Sequence, residues 1–320
     1  MKYTNNLNLP MPLFNALTHS DYDLVGQPDN IVSVTTLLSP PGQKILESRH
    51  KDEIVVDCIS NLWMMEGTAS HYVAEISQGD SEHLVEERWY LSIATLKVFT
   101  VSEGVKFWET TNYDKQDFYV SGKFYVYDFV AKKLHDYKRT SIYSWLNTKK
   151  LKPEYVGQLN INRFALNKLG FDVCGQSIIF IFRDWSKTKA KTQGDYPKHP
   201  IMEVNAMPWY DDEIIDFVRD RVNNLIECRK LTDEQLPVCT PEERWRKEGK
   251  WAVMKKGRKT AVKLFDERPD EQTLTAYGKD HWLEQRESVD TRCIDYCQVK
   301  EFCKYYQETY AGKEEMLVED

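Results

Sequence analysis

The segment from Val120 to Trp145, VSGKFYVYDFVAKKLHDYKRTSIYSW, constrains the fold of this chain more than any other stretch. It is predicted to form a β-hairpin whose second strand carries an acid and a lysine two residues apart. Because successive side chains of a strand point to opposite faces, Asp136 and Lys138 should share one face, with His135 and Tyr137 on the other. A carboxylate and an ammonium group are therefore expected to converge on one small volume.

This acid and lysine pair has two interpretations. The carboxylate can bind a hard divalent cation, while the lysine orients a water molecule or offsets the negative charge that develops during phosphodiester hydrolysis. The same spacing also occurs as a solvated ion pair on an exposed hairpin. The spacing alone leaves both interpretations open.

The runs GKFYVYD (Gly122–Asp128) and LHDYKRTS (Leu134–Ser141) resemble motifs two and three of the PD-(D/E)xK nucleases, in particular their RecB-like branch. That branch includes the nuclease domains of RecB and AddB, the CRISPR-adaptation nucleases and many phage exonucleases. In it, a Gly-x-x-Asp strand precedes an Asp/Glu-x-Lys strand, and a histidine on an earlier helix completes the metal site. The resemblance implies an α/β fold with a restriction-endonuclease-like core, in which helices flank a mixed sheet. It also implies that Asp136 binds Mg²⁺ or Mn²⁺ and that Lys138 assists the attacking water.

The histidine of this pattern is supplied by GTASH, Gly67 to His71, which matches Gly-Thr-x-x-His. It follows a helix predicted from about Asp52 to Met65. The resemblance implies that neutral His71 adds a nitrogen ligand beside Asp136. The alternative for a single helical histidine is an ordinary polar residue.

Tyr125 departs from the family pattern, because an aspartate that binds the metal is expected at this position. A phenol with a pKa near ~10 is a poor ligand for Mg²⁺ at neutral pH. Asp128 is the nearest substitute, but its odd offset places it on the opposite face of a regular strand, and only a bulge or bend would bring it to the metal.

A helix is predicted from Pro153 to Phe171, followed by a buried strand from Ser177 to Phe182. Gln158 occupies the first place of the family's Gln-x-x-x-Tyr motif, and Asn162 stands where tyrosine is usual. By resemblance Gln158 would contact the lysine or a substrate phosphate; otherwise it is an exposed helix amide. The order helix, hairpin, helix, strand is typical of a mixed α/β core.

Three of the seven cysteines, Cys293, Cys297 and Cys303, fall close together, as expected for a site that binds a soft metal. RecB-like nucleases often carry such a carboxy-terminal trio, which binds a 4Fe-4S cluster together with a cysteine farther upstream. The spacing here is C-x3-C-x5-C rather than the more usual C-x2-C-x5-C. The fourth ligand is predicted to be Cys239, in a proline-flanked loop, although such relatives usually take it from before the nuclease core. Zinc bound by four thiolates is the alternative.

The remaining cysteines, Cys58, Cys174 and Cys228, lie within helix-like or strand-like stretches and are expected to be buried as small apolar residues. The chain of 320 residues is 41% hydrophobic, with a mean hydropathy of −0.59. It has no apolar stretch long enough to span a bilayer and no secretory signal, so we expect a cytoplasmic protein that binds metal rather than forming disulfides.

The net charge of −7 argues against a nucleic-acid partner. Local basic clusters could nevertheless bind one, since most of the acidic residues lie elsewhere in the chain. They lie at residues 149–152, 187–198 and 247–263. A basic hairpin that turns at Lys256 and Gly257 is predicted from Trp251 to Asp266. Clustered cations with interleaved aromatic residues can neutralise phosphates and stack unpaired bases, whereas lysine runs are otherwise only solvated surface.

The predicted organisation has five parts. They are an amino-terminal arm (1–43), a nuclease core (44–207), a linking helix (208–235), a cysteine-bracketed iron-sulfur unit (236–305) and an acidic tail (306–320).

We expect a metal-dependent DNA exonuclease of phage type, active in DNA processing or recombination on single-stranded or duplex ends, with a possible recombination or replication protein as partner. Two alternatives stay open. One is a protein of the same fold that binds DNA ends or single strands without cutting them. The other is a structural zinc or iron-sulfur module that acts on a protein partner.

The departure at Tyr125 generates a first prediction. Cleavage of DNA with Mg²⁺ should be weak or absent, and Tyr125→Asp should restore it, because the substitution returns a hard oxygen ligand to the metal site. The rates of release of labelled nucleotides by the two chains measure this effect. Equal rates for both chains would contradict the prediction.

Overall fold

The computed structural model describes residues 1–19, 26–77, 83–85, 88–102, 104–124 and 126–313. The chain forms two compact units. The larger comprises residues 3–39 and 56–227, and the smaller comprises residues 1–2, 40–55 and those from 228 onwards. Among the described residues, no helix is both long enough and apolar enough to cross a membrane.

The described part of the chain contains ten α-helices, which fall in both units. In chain order they are α1 (Met11–Thr18), α2 (Val34–Leu38), α3 (Pro41–Arg49), α4 (Leu62–Ile76), α5 (Ile142–Thr148), α6 (Pro153–Lys168), α7 (Lys187–Thr192), α8 (Asp211–Cys228), α9 (Glu271–Thr275) and α10 (Lys304–Thr309).

Sixteen β-strands are present in the same described residues. They are β1 (Lys2–Thr4), β2 (Ile31–Ser33), β3 (Val55–Asp57), β4 (His83–Val85), β5 (Arg88–Ser92), β6 (Val98–Thr100), β7 (Tyr119–Lys123), β8 (Val126–Asp128), β9 (Lys133–Thr140), β10 (Gly175–Phe182), β11 (Ile201–Asn205), β12 (Arg246–Lys247), β13 (Lys250–Lys255), β14 (Lys263–Phe265), β15 (His281–Arg286) and β16 (Val289–Asp290).

A five-stranded mixed sheet organises the larger unit, in the order β11-β10-β9-β8-β4. Strands β9 and β10 are parallel, and the other neighbours are antiparallel. Helices α5 and α6 form the crossover between β9 and β10, which is the connection that parallel neighbours require. A second sheet has the order β2-β7-β5-β6. The predicted mixed α/β architecture is confirmed at this level.

Helix α6 is the central helix of the larger unit. It begins at Pro153, whose missing N–H costs nothing in a first turn. Leu159, Ile161 and Phe164 are all 0% exposed, so the helix is buried on more than one side. Buried Asn160 fixes the position of the helix, because the Asn160 Oδ1 atom accepts a hydrogen bond from the Trp209 backbone N–H at 2.7 Å. This fixed helix carries Gln158 toward the sheet.

The predicted start of α6 at Pro153 and end of β10 at Phe182 are confirmed, although α6 ends at Lys168 and β10 begins at Gly175. The helix expected from Asp52 to Met65 is wrong. Residues 55–57 form β3, a turn of 3₁₀-helix follows at Cys58–Asn61, and α4 begins only at Leu62. The β-branched run before Asp57 favours a strand. Asp57 then accepts the Ile59 backbone N–H at 3.1 Å and so begins the helical turn.

The smaller unit contains the antiparallel sheet β14-β13-β15 and the short pair β12-β16. Helix α3 belongs to this unit: Arg49 pairs with Asp233 at 2.6 Å, and the Arg292 guanidinium donates to Gln43 Oε1 at 2.8 Å. The predicted division of the chain therefore needs correction. Residues 40–55 join the cysteine-bracketed part, residues 3–39 of the expected arm belong to the larger unit, and the linking helix is α8, which ends at Cys228.

Gly122 generates a prediction about packing. A Cβ atom at this position would lie 2.7 Å from Trp89 Cε2 and 3.0 Å from Trp89 Nε1, and Trp89 is 0% exposed. We expect Gly122→Ala to destabilise the protein by about 1–3 kcal/mol, because the buried indole has no room to retreat. Gly67 in α4 is the matched control, because the Cβ atom of an alanine there would have no neighbouring atom within 4 Å.

Removing this glycine from a helix interior by Gly67→Ala should stabilise the protein by roughly 0.5–1 kcal/mol. The midpoints of urea unfolding of both variants measure the two effects. A Gly122→Ala variant as stable as the Gly67→Ala variant would show that the indole does not constrain this position.

Candidate functional site

Asp136 and Lys138 form an ion pair on β9, in the centre of the five-stranded sheet. Lys138 Nζ lies 2.8 Å from Asp136 Oδ2, and the Asp136 side chain is only 1% exposed. The predicted shared face is thereby confirmed. The pair is not a solvated surface contact, because the carboxylate is withdrawn from water.

Gln158 and Tyr155 of α6 hold the Lys138 ammonium group from the helix side. Lys138 Nζ donates to Gln158 Oε1 at 2.9 Å and lies 5.1 Å from the centre of the Tyr155 ring. Burial raises the pKa of Tyr155 to about 12, with the charges of Glu154 and Asp136 adding to the effect, so its phenol is neutral at physiological pH. The expected contact between Gln158 and the lysine is present.

Asn162, at the place of the usual tyrosine, has a structural role one turn farther along α6. Its Oδ1 accepts from Trp89 Nε1 at 3.2 Å, and its Nδ2 donates to the Lys123 carbonyl at 3.2 Å. The amide therefore joins α6 to β5 and β7, the strands on either side of the Gly122 contact.

His71 lies on α4, which packs along β9. Glu66 on the same helix pairs with Arg139 of β9 at 3.0 Å. His71 is half-buried and lies five residues beyond Glu66, about 7.5 Å along the helix axis. The structure thus places His71 and Asp136 on neighbouring elements, and their joint binding of one cation stays a prediction.

Asp128, predicted as a substitute metal ligand, does not join this group. The strand register pairs Asp128 with Lys133, which puts it on the face of His135 rather than that of Asp136, three residues away along β9. Its Oδ1 accepts the backbone N–H groups of Val130 and Ala131 at 2.8 and 2.7 Å. Asp128 therefore closes the hairpin turn. Tyr125, the other candidate of this hairpin, lies outside the described residues.

A serine, a histidine and a carboxylate meet on the opposite face of the sheet, where no site was predicted. His135 Nδ1 lies 2.8 Å from Ser177 Oγ, which donates to Glu203 Oε1 at 2.8 Å. Ser177 is 0% exposed, and the Lys133 ammonium at 2.5 Å keeps the pKa of Glu203 low. A buried hydroxyl cannot reach a substrate, so this cluster links β9, β10 and β11 structurally.

The four predicted cysteine ligands are neighbours within the smaller unit. Burial raises the pKa of Cys239 and of Cys293 to about 12, and the neighbouring carboxylates, Glu243 and Asp290 respectively, and the other thiols act in the same direction. The pKa of Cys297 is also raised by burial and by Cys303. Cys293 lies in a turn of π-helix at Arg292–Tyr296.

Two arginines anchor the loops that carry these thiols. Arg244 donates to the Cys239 carbonyl and, at 3.0 Å, to Asp290 Oδ2. Arg292 donates to the Glu243 carbonyl at 3.0 Å, and its positive charge favours the thiolate forms of Cys239 and Cys297. Neither arginine was predicted, because Arg244 also depends on Asp290 and Arg292 depends on Glu243 and Gln43, which are all distant in sequence.

Of the other three cysteines, Cys58 and Cys228 are buried as predicted, at 1% and 2% exposure. Cys174 is exposed, contrary to the prediction. It lies just before β10, in the loop where its backbone N–H donates to the Lys132 carbonyl at 2.8 Å.

The described residues contain no set of three His, Cys, Asp or Glu side chains arranged to hold a metal ion. The donor chemistry fits a soft metal at the four cysteines, because thiolates are its usual ligands and Arg292 offsets negative charge at Cys239 and Cys297. A metal would draw the thiols together and release their protons. At Asp136 the donor chemistry fits Mg²⁺ or Mn²⁺ more loosely, since Mg²⁺ is commonly held by one or two carboxylates, substrate phosphates and water.

His50 lies beside the cysteine loops and is held by three groups. Its ring stacks on Phe302 at 3.9 Å, its Nε2 lies 2.7 Å from Asp233 Oδ2, and its Nδ1 lies 2.7 Å from Glu53 Oε1. The hydrogen bond with Asp233 is the main cause of the raised His50 pKa. Burial opposes a low Asp233 pKa, but hydrogen bonds from His50 and Arg49 lower it overall.

This arrangement generates a pH prediction. A raised histidine pKa stabilises the fold fully below the unfolded-state value of 6.5, and the stabilisation is lost as pH rises through the folded-state pKa. The lowered Asp233 pKa acts only at acid pH and leaves this window unchanged. The urea midpoint of the natural chain should therefore fall between about pH 6 and pH 8 relative to that of His50→Gln. A difference that stays constant over this range would contradict the prediction.

No family model matches the chain, and no curated protein matches it. Among solved structures, the chain is similar to the crystal structure of SSO0001 with a TM-score of 0.39 and 15% sequence identity. The match covers 66% of this chain and 81% of that one.

Proposed function

We propose that this chain is a metal-dependent DNA nuclease, and most specifically an exonuclease acting on single-stranded or duplex ends. The observation that carries the proposal is the buried Asp136 carboxylate, with the Lys138 ammonium at 2.8 Å and Gln158 behind it at 2.9 Å. The ordered motifs of the RecB-like resemblance support it from the sequence.

The burial of this pair favours a functional role over a structural one. Removing two charges from water costs free energy that their attraction rarely exceeds, so well-packed apolar residues would stabilise β9 at least as well. Charged groups are nevertheless buried together at many functional sites, in spite of this cost. Lys138 keeps 18% of its side chain exposed, which gives a substrate access to the ammonium group.

Asp136 would hold Mg²⁺ or Mn²⁺, with the His71 imidazole as a second ligand. When bound, the cation would polarise the phosphate and lower the pKa of a bound water. Lys138 donates hydrogen bonds to the attacking water or to a phosphate oxygen. Gln158 is a positioning residue that keeps the Lys138 ammonium in place, and the neutral Tyr155 ring screens it from bulk water.

In the smaller unit we propose a 4Fe-4S cluster held by Cys239, Cys293, Cys297 and Cys303, with Zn²⁺ as the alternative. Its role would be to join loops that are distant along the chain. All seven cysteines are free thiols, which suits the reducing cytoplasm. If the chain is encoded by a phage, this would be the cytoplasm of the host cell. Measuring the iron, sulfide and zinc content of the purified protein distinguishes the two cofactors: iron with sulfide indicates the cluster, and zinc indicates the alternative.

A second function, binding of DNA ends or single strands without cleavage, is favoured by one observation. Asp136 Oδ2 already pairs with Lys138, so a cation must compete with the ammonium for this carboxylate. Salt-sensitive retention of DNA without degradation would support this function instead.

The experiment uses labelled single-stranded and duplex DNA with Mn²⁺, because cleavage with Mg²⁺ by the chain that carries Tyr125 is expected to be weak or absent. We expect Asp136→Asn to lower the rate by at least about 100-fold, and Gln158→Ala by about 10-fold to 100-fold. Asp128→Asn is the matched control, because an amide oxygen still caps the hairpin turn. It should leave the rate unchanged.

The double variant Asp136→Asn with Lys138→Met separates catalysis from folding. It removes both charges together, so it should be more stable than Asp136→Asn alone, which leaves the Lys138 ammonium without its carboxylate, while cleavage is lost. Cleavage that survives in a folded double variant would exclude these residues from the active site.

A further inference from the structure

We infer that the loop between β13 and β14 is a docking site for the phosphodiester backbone of a nucleic acid. The inference rests on the proposed function for the class of partner, and it adds a contact outside the unit that carries Asp136. The basic loop, residues 255–263, has no acidic residue and contains five cations: Lys255, Lys256, Arg258, Lys259 and Lys263.

Seven other cations among the described residues of the smaller unit are paired with carboxylates. These pairs are Lys44 with Glu47, Arg49 with Asp233, Arg244 and Arg246 with Asp290, Lys250 with Asp266, Arg286 with Glu284, and Lys304 with Glu308. These pairs show how many cations of this unit are neutralised within the chain. The basic loop differs in this respect.

Within the part of the chain that the structure describes, no cation of the basic loop has a carboxylate partner. The nearest acidic residue in the strand register, Asp280, contacts the loop through its backbone, where its carbonyl accepts the Lys256 N–H at 2.9 Å. The chain as a whole carries a net charge of −7. Five adjacent positive charges therefore repel one another locally, and a polyanion would relieve that repulsion.

The sheet beneath the basic loop holds these cations in place. Strand β13 is paired on both sides, and Ala252 and Val253 at its centre are 0% exposed. The Val262 N–H donates to the Val253 carbonyl at 2.8 Å, and Gly257 turns the chain at a φ of +81°. Anchored cations lose less conformational freedom on binding than cations on a loose tail.

A nucleic acid suits this loop better than an anionic membrane does. Membrane-binding segments combine cations with large apolar side chains that enter the lipid, whereas the apolar residues of the basic loop are only Ala261 and Val262, both partly buried. Trp282 of β15 lies opposite Met254 next to the loop and is 48% exposed, which provides a surface on which an unpaired base can stack.

The test measures equilibrium binding of labelled duplex and single-stranded DNA to the full chain, in EDTA so that no cleavage occurs, over a series of salt concentrations. The loop variant is Lys256→Gln, Arg258→Gln and Lys259→Gln together. We expect the slope of log affinity against log salt to fall by about 0.9 per lost contact on duplex and about 0.7 on single strands. At about 0.1 M salt the affinity should fall on the order of 10-fold to 100-fold.

The matched control neutralises three cations elsewhere in the same unit, Lys44→Gln, Lys304→Gln and Lys313→Gln, with the same change in net charge. It should keep the salt slope of the natural chain. A Lys256→Arg and Lys259→Arg variant should also keep it, which shows that charge at the loop matters rather than lysine itself. Thermal unfolding checks that each variant is folded.

Equal loss of affinity in the loop and control variants would overturn the inference, because only net charge would then matter. An unchanged slope in the folded loop variant would overturn it too, as would loop-dependent binding to phosphatidylserine vesicles without binding to DNA. The outcome is separate from the proposed function. Loop-dependent binding without cleavage in Mn²⁺ supports the inference and contradicts the nuclease, whereas cleavage with loop-independent binding does the reverse.

Discussion

The burial of one charge, the carboxylate of Asp136, determines how the centre of the larger unit is arranged. At 1% exposure this group needs a compensating cation, and Lys138 supplies it from the same face of the same strand. The ammonium in turn needs an acceptor and a shielding ring, which Gln158 and Tyr155 of α6 provide. The crossover helix must therefore lie over β9 in a fixed register, and its other buried amides, Asn160 and Asn162, keep it there.

The arrangement at Lys138 could be predicted because it depends on local periodicity. Alternation along a strand assigned Asp136 and Lys138 to one face and placed Asp128 on the other, whatever the rest of the fold. The helix start at Pro153 and the turn at Gly257 also follow from the properties of single residues. The bend or bulge considered for Asp128 is not required, since its carboxylate closes the hairpin turn.

Other parts of the molecule could not be predicted, since they depend on contacts between distant segments. The boundary near Asp57 depends on Thr4 and Asn6, which donate to the Asp57 carboxylate at 3.0 and 2.9 Å. The assignment of α3 to the smaller unit depends on Gln43, Arg49 and their partners nearly two hundred or more residues away. No pattern within α3 itself indicates this.

The amino-acid sequence by itself determined the faces of the strands, the helix around Gln158, the hairpin of the basic loop and the spacing of the cysteine trio, because each follows from the geometry of neighbouring residues. Only the tertiary structure decided that Gln158 meets Lys138, that Cys239 lies with Cys293, Cys297 and Cys303, and that the cations of the basic loop lack carboxylate partners among the described residues. These facts depend on which side chains, distant in sequence, come into contact in the folded chain, and on whether each charged group has an oppositely charged partner there.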